Sequence, residues 1–284
     1  DSMQVYKQMD IGTAKIKKEQ MQGVTHYMID EWNPDEEFNV MIFQKRVKEI
    51  MEDIYNRGKI PILVGGTGFY IQAVLNDIAF TKEKQGDEIR ADLQNLAKEK
   101  GASYLHYELQ KVDKESAEAI HPNNIKRVIR ALEYFQSTGQ KFSDHNKEER
   151  QKGSPYNFLY LVLTMNRKVL YERIDKRVDQ MMEEGLVKEV KQLLDAGYSR
   201  NLVSMQGLGY KEIASALFKE CTMEEAVYRL KRDTRHFAKR QMTWFRRERD
   251  VTMINKDNFS NNHEIVNYIM KLAVEKGICS CREG

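Results

Sequence analysis

Lys59-Ile60-Pro61-Ile62-Leu63-Val64-Gly65-Gly66-Thr67 is a short apolar run that ends in two glycines and a hydroxyl. Ahead of it, apolar residues at 40, 43, 47, 50, 51 and 54 keep the helical i, i+3, i+7 spacing, and Gly58 supplies the stop. A continuous apolar run delivered to a glycine turn is the pattern of a buried parallel strand, 60–64, and residues 70–75 begin the helix behind it. Helix, strand, glycine turn and helix in succession imply βαβ units. The expected fold class is therefore α/β, with a mostly parallel sheet whose ligands sit outside the strand C-termini.

Outward from this stretch, two further strands are expected at 158–163, after Ser154-Pro155, and at 251–254. Between 78 and 154 the character changes: Lys, Glu, Gln and Ala dominate, and helical periods recur at 87–100, 102–110 and 123–138. Gly139 closes the last of these, and a charged linker runs on through 152. This predicts an all-helical insertion, 78–154, in a core formed by 1–77 and 155–284. One long helix is expected over 168–196 and another over 227–249. No internal repeat is present, which excludes solenoids.

At 284 residues, with 41% hydrophobic and 31% charged residues, the chain is too mixed for disorder and too polar for a membrane protein. No apolar run approaches the roughly 18 residues that cross a bilayer, and no signal segment opens the chain, so a cytoplasmic protein is expected. Cys221, Cys279 and Cys281 offer neither an even disulfide framework nor a CxxC spacing. A net charge of +3 is modest, so affinity for an anionic partner depends on where the basic residues lie.

They cluster on the helix 227–249. Leu230, Thr234, Phe237, Ala238, Gln241, Trp244 and Phe245 fall on one arc, and Arg229, Arg232, Arg235, His236, Lys239, Arg240, Arg246 and Arg247 fall opposite. Asp233 and Glu248 are the only acids from 229 to 249, which favours an anionic polymer over a merely solvated face. Arg173 and Arg177, four apart on one helix face, can clamp a phosphate, although a helix laced with surface ion pairs has the same pattern. Gly65-Gly66-Thr67 lets a phosphate or base approach the backbone, but a strand-to-helix turn needs glycine for ordinary reasons too.

The opening Asp1-Ser2-Met3-Gln4-Val5-Tyr6-Lys7-Gln8-Met9-Asp10-Ile11-Gly12-Thr13-Ala14-Lys15 crowds carboxylates, hydroxyls, amides and lysines into a few positions. With Ile60 to Thr67 and Lys239-Arg240-Gln241-Met242-Thr243-Trp244-Phe245-Arg246, it resembles the tRNA dimethylallyltransferase (tRNA isopentenyltransferase) family, along most of the chain. The resemblance implies a P-loop-NTPase-like parallel sheet flanked by helices, with an inserted all-helical domain. It implies transfer of a dimethylallyl group from its diphosphate to N6 of the adenosine just 3′ of the anticodon, in tRNAs reading codons that begin with U. The implied general base is Asp1. Thr67 would hold the reactants in line, and Tyr70 would lie beside the transferred group. Arg173 and Arg177, with Arg177 ranked first, would bind the diphosphate together with Mg²⁺.

The implied tRNA contacts are Ser2, Met3, Gln4 and Thr67 at the target nucleotide, and Arg90 with Lys126, Arg127, Val128, Ile129 and Arg130 at the anticodon arm. The loop Gln206-Gly207-Leu208-Gly209-Tyr210-Lys211 and the run Lys239 to Arg246 complete them. The family also carries a Gly-Pro-Thr-x-x-Gly-Lys-Thr P-loop about thirty residues ahead of the Asp, and this chain has none. A truncated, inactive or impaired polypeptide is therefore expected, monomeric and away from membranes, with its Mg²⁺ ligand in the absent P-loop. An adenylate isopentenyltransferase and a nucleic-acid-binding fragment without catalysis are the alternatives.

Overall fold

The computed structural model describes residues 2–80 and 86–280, apart from the side chains of 86, 87 and 150. Asp1 thus lies outside the described residues. The chain divides into two compact units, Asp1–Val74 with Tyr156–Gly284, and Leu75–Pro155.

In the first unit, α1 (Val40–Asn56) is capped by Asn39, whose Oδ1 accepts the amides of Met41 and Ile42 at 2.9 and 3.1 Å. It buries Phe43, Val47 and Ile50, the stripe its periodicity predicts. α2 (Gly68–Leu75) follows the glycine turn.

The second unit is helical: α3 (Gly86–Lys100), α4 (Ala102–Val112), α5 (Lys114–Ala119), α6 (Ile125–Thr138) and α7 (Phe142–Gln151). Leu93, Leu105, Leu109, Val128 and Leu132 form its core. The expected charged linker is instead largely α7. Its Phe142 and His145 rings pack on Tyr134 at 5.7 and 4.9 Å, so two aromatic anchors hold an otherwise charged helix.

The first unit resumes with β1 (Tyr160–Thr164), α8 (Arg167–Glu184), α9 (Leu186–Asp195), α10 (Tyr210–Leu217), α11 (Met223–Phe245), β2 (Val251–Asn255) and α12 (Asn262–Glu275). β1 and β2 pair in parallel, Tyr160 opposite Val251 through Thr164 opposite Asn255, and form a two-stranded sheet. The single helix expected over 168–196 breaks at Gly185, whose φ of 104° ends α8 and begins α9.

The expected strand 60–64 is not a strand among the described residues. Ile62 is 83% exposed and Val64 81%, although a buried strand was expected here. Strand character requires a ladder partner, and no described strand lies alongside this segment. The sheet is accordingly smaller than the mostly parallel sheet that the sequence suggests.

The main core is built from Val5, Tyr6 and Met9 of the N-terminal segment packed with Leu186, Val190 and Leu193 of α9 and with Met205, Tyr210 and Ile213 around α10. Tyr6 forms an isolated parallel bridge with Trp32. The polar opening stretch is thus anchored by the few apolar residues it contains.

Candidate functional site

The Thr67 hydroxyl donates to Ser2 Oγ at 3.2 Å, which brings the glycine turn to the N-terminal segment. The floor of that turn is α11. Gln241 Nε2 donates to the Gly66 carbonyl at 2.9 Å, and the Phe69 and Trp244 rings meet edge to face at 6.4 Å. A Cβ on Gly66 would lie 2.0 Å from Gln241 Nε2, and one on Gly68 2.3 Å from the Trp244 indole. These glycines therefore serve a close helix approach, a role that the strand-to-helix pattern does not reveal. Tyr70 stands in an aromatic cluster, its ring 4.9 Å from Phe43, where burial and then the neighbouring Tyr6 push its phenol pKa up and keep it neutral.

α8 and α11 run antiparallel, tied by Asp175 to Arg235 and Asp179 to Lys231, both at 2.5 Å. Arg173 and Arg177 are both exposed. Arg173 Nη1 lies 3.8 Å from the Met165 sulfur, just past the C-terminal end of β1. At 1.5 Å per residue, the α8–α11 register sets Arg173 about 6 Å and Arg177 about 12 Å from Gln241 along the helix axis. Along that axis Arg173 is thus the nearer of the two to Gln241, whereas the resemblance ranks Arg177 first for the diphosphate.

The basic face of α11 is narrower than its helical wheel. Arg235 and Lys231 turn inward to α8, Arg229 pairs with Glu225, and Arg232 pairs with Asp233 at 2.8 Å. Lys239, Arg240 and Arg246 remain exposed, without an ion pair among the described residues, and Thr243 is exposed beside them. Met242 is half-buried. Phe237 and Trp244, on the arc opposite the cations, are 37% and 38% exposed, so aromatic surface borders the basic face. Phe245 is buried against Tyr160, so its side chain is core and cannot itself touch RNA.

In the loop before α10, Gln206 is exposed and its amide donates to the Arg200 carbonyl at 2.7 Å. Gly209 has φ 94°, a conformation that only glycine adopts without strain. A cavity of about 420 Å³ opens beside Gln206 and Lys211, flanked by Arg200, Arg229 and Arg232. Leu208 is half-buried and Gly207 accommodates Met3: a Cβ there would meet the Met3 methyl at 2.9 Å. Tyr210 is 1% exposed, so its side chain also faces the core rather than a ligand.

In the helical unit, Glu133 is buried and holds two arginines from two helices. It accepts Arg90 Nη2 at 2.7 Å and stands 3.4 Å from Arg130 Nη1. Arg90, Lys126 and Arg130 rim a cavity of about 530 Å³ with Ile125 and Ile129 among its lining. Arg127 is exposed, whereas Val128 and Ile129 are buried. Those two apolar side chains orient the helix, and the cations present its charge.

Two residues central to this architecture were not singled out from sequence. The Lys15 ammonium, only 6% exposed, donates to the Tyr6 carbonyl, Asp10 and Asp30 at 2.7, 2.7 and 2.5 Å. Glu189 is a buried carboxylate on α9. The signal for it was legible: it lies on the apolar stripe Leu186, Val190, Leu193, where a charged residue has no packing reason to be.

Residues 4–248 match the family model for IPP transferases. The chain is 57% identical over 278 residues to a tRNA dimethylallyltransferase of Lachnoclostridium phytofermentans, covering 98% of this chain and 89% of that one. The full-length tRNA isopentenylpyrophosphate transferase of Bacillus halodurans, 44% identical, superposes with a TM-score of 0.71 over 98% of this chain and 88% of that one. A eukaryotic dimethylallyltransferase acting on tRNA, 27% identical, does so with a TM-score of 0.77 over 95% of this chain and 72% of that one. The chain belongs to the IPP transferase family. The expected impairment draws no support from these alignments, which extend through 98% of the sequence.

No helix among the described residues is long and apolar enough to cross a membrane. No three His, Cys, Asp or Glu side chains converge among them as a metal site, so the Mg²⁺ expected with the diphosphate has no identified protein ligand here.

Proposed function

We propose that the protein transfers a dimethylallyl group from dimethylallyl diphosphate to N6 of the adenosine just 3′ of the anticodon in tRNAs reading codons that begin with U. The observation that carries this reading is the join between the Thr67 turn and α11. Gln241 and Trp244 fix the hydroxyl-bearing turn directly to the helix that presents Lys239, Arg240 and Arg246. A reacting group at Thr67 is thereby a short step from a surface suited to a polyanion.

In the reaction, the exocyclic amine attacks the first carbon of the dimethylallyl group. The carbon–oxygen bond to diphosphate breaks and the amine loses a proton. Asp1, one residue before Ser2, is the proposed acceptor of that proton, and Thr67 with Ser2 the proposed orienting pair. Arg173 and Arg177 are proposed to stabilise the departing diphosphate, a task for fixed positive charge. The adenine must leave its stack to arrive, and Arg90, Lys126, Arg127 and Arg130 are proposed to hold the anticodon arm meanwhile.

The test is incubation of the protein with labelled dimethylallyl diphosphate and either tRNA or free AMP. Label appearing in tRNA as N6-dimethylallyladenosine is the expected result. Label in AMP would establish the adenylate transferase instead, and retained tRNA binding without label in either acceptor would leave a binding module.

A further inference from the structure

Among the described residues, Glu189 receives four donors and no cation. Its Oε2 accepts the backbone amides of Asp10 and Ile11 at 2.9 and 2.8 Å, and its Oε1 accepts the Gly12 amide at 3.1 Å and the Tyr210 hydroxyl at 2.7 Å. Three successive amides converging on one carboxylate form a concave anion nest, here filled from within the protein. A buried carboxylate costs stability unless its acceptors are satisfied, and this one is satisfied by the loop it holds. The fit is tight: a Cβ on Gly12 would lie 2.5 Å from the Tyr210 ring.

Both ends of this junction lead to the site. On one side, the Gln4 amide donates to the carbonyls of Thr13 and Ala14 at 3.0 Å each, so the loop that Glu189 holds in turn sets the Gln4 side chain, two residues from Ser2. On the other, Tyr210 opens α10 directly behind Gly207-Leu208-Gly209, and the Met3 methyl lies against Gly207. We infer that Glu189, with Tyr210, is a positioning residue for the transfer: it joins the N-terminal reaction segment to the RNA-facing loop 206–211 and holds the two in register. The inference rests on the proposed function and adds to it a residue remote from the reacting atoms. Replacing the carboxylate by an amide turns an N–H₂ group toward backbone N–H donors, which the nest cannot accept.

The experiment compares E189Q, Y210F and V190A in transfer to tRNA. V190A is a matched truncation one residue away in the same core, and its side chain offers no hydrogen-bond acceptor to the amides of residues 10–12. E189Q is expected to lower kcat about 10²-fold, the scale of a misplacement of about 1 Å, while KM for dimethylallyl diphosphate stays unchanged. Y210F, which removes one donor of four, is expected to fall between E189Q and wild type. V190A, studied below its unfolding temperature, is expected to keep kcat. Hydrogen exchange gives a readout independent of turnover: the amides of residues 10–12 exchange faster in E189Q but not in V190A. Equal kcat and equal exchange in E189Q and V190A would overturn the inference while leaving the transferase intact. A wild-type protein that transfers nothing to tRNA overturns the proposed function, and this positioning role with it, even if exchange changes as expected.

Discussion

The Gln241 amide donates to the Gly66 carbonyl at 2.9 Å, and just under one helical turn on, the Trp244 indole occupies the space that a Gly68 Cβ would need. The two glycines differ in what opposes them. A side chain on Gly66 meets the end of a flexible glutamine, whereas one on Gly68 meets a rigid ring. G68A is therefore expected to destabilise the protein by about 1–3 kcal/mol, and G66A by less, as read by urea unfolding. The double variant G66A/Q241A should recover most of the G66A loss, because the clash goes with the glutamine.

Thr67 faces Ser2 across 3.2 Å, and its methyl and hydroxyl can be tested separately. T67V keeps the shape and removes the donor; T67S keeps the donor. Transfer by T67V is expected to drop about tenfold, the scale of one hydrogen bond, with T67S close to wild type. Equal rates in all three would remove Thr67 from the orienting pair.

Arg173 sits over the end of β1, and the α8–α11 register sets it nearer the glycine turn than Arg177. R173Q is accordingly expected to cost more in kcat than R177Q, both acting on release of diphosphate rather than on tRNA affinity. A larger loss in R177Q would restore the order that the family resemblance implies.

Lys239 and Arg240 of α11 and Arg246 just past its end are exposed cations without an ion pair among the described residues. Each phosphate contact contributes roughly −0.7 to −0.9 to the slope of log K against log salt concentration. K239Q, R240Q and R246Q should each flatten that slope by about one unit or slightly less in tRNA binding titrations. R235Q should not do so, since Arg235 is committed to Asp175.

What the sequence made legible follows from how local the cause was. The stripes of α1 and α11 and the apolar run of β1 are periodicities, and each marks an element near its observed place. The break at Gly185 was hidden because both flanking helices continue the same composition, and only the backbone shows its left-handed turn. Residues 60–64 read as a strand because Ile, Leu and Val favour one, yet strand formation is settled by a neighbour that the run itself cannot specify. In the site, the basic helix was visible from charge spacing. The joins were not: Gln241 to Gly66, Arg235 to Asp175 and Glu189 to residues 10–12 each span 60 or more positions, and no local pattern encodes them. Resemblance supplied the names of site residues, but it did not distinguish Lys126 or Arg130, which carry charge, from Val128, which packs.

The last prediction concerns the helical unit and acid. Asp113, 1% exposed, accepts the Ser116 amide at 2.9 Å, the Ser116 hydroxyl at 2.6 Å and the Ser143 amide at 2.8 Å, tying the start of α5 to α7. Burial alone would raise its pKa; the hydrogen bonds from Ser116 and Ser143 together outweigh it and hold the carboxyl below its ordinary 3.8. A depressed folded pKa contributes stability that is present above the unfolded value and lost as pH falls through the folded one. The contribution should therefore persist at neutral pH and disappear below 3.8. D113N places an N–H₂ against donors and is expected to cost about 2 kcal/mol at pH 7. That difference from wild type should shrink as the wild-type carboxyl takes up its proton, read by urea unfolding of the helical signal at pH 7 and at progressively lower pH. A D113N deficit that stays constant into acid would show that the charge of Asp113, as distinct from its shape, contributes nothing.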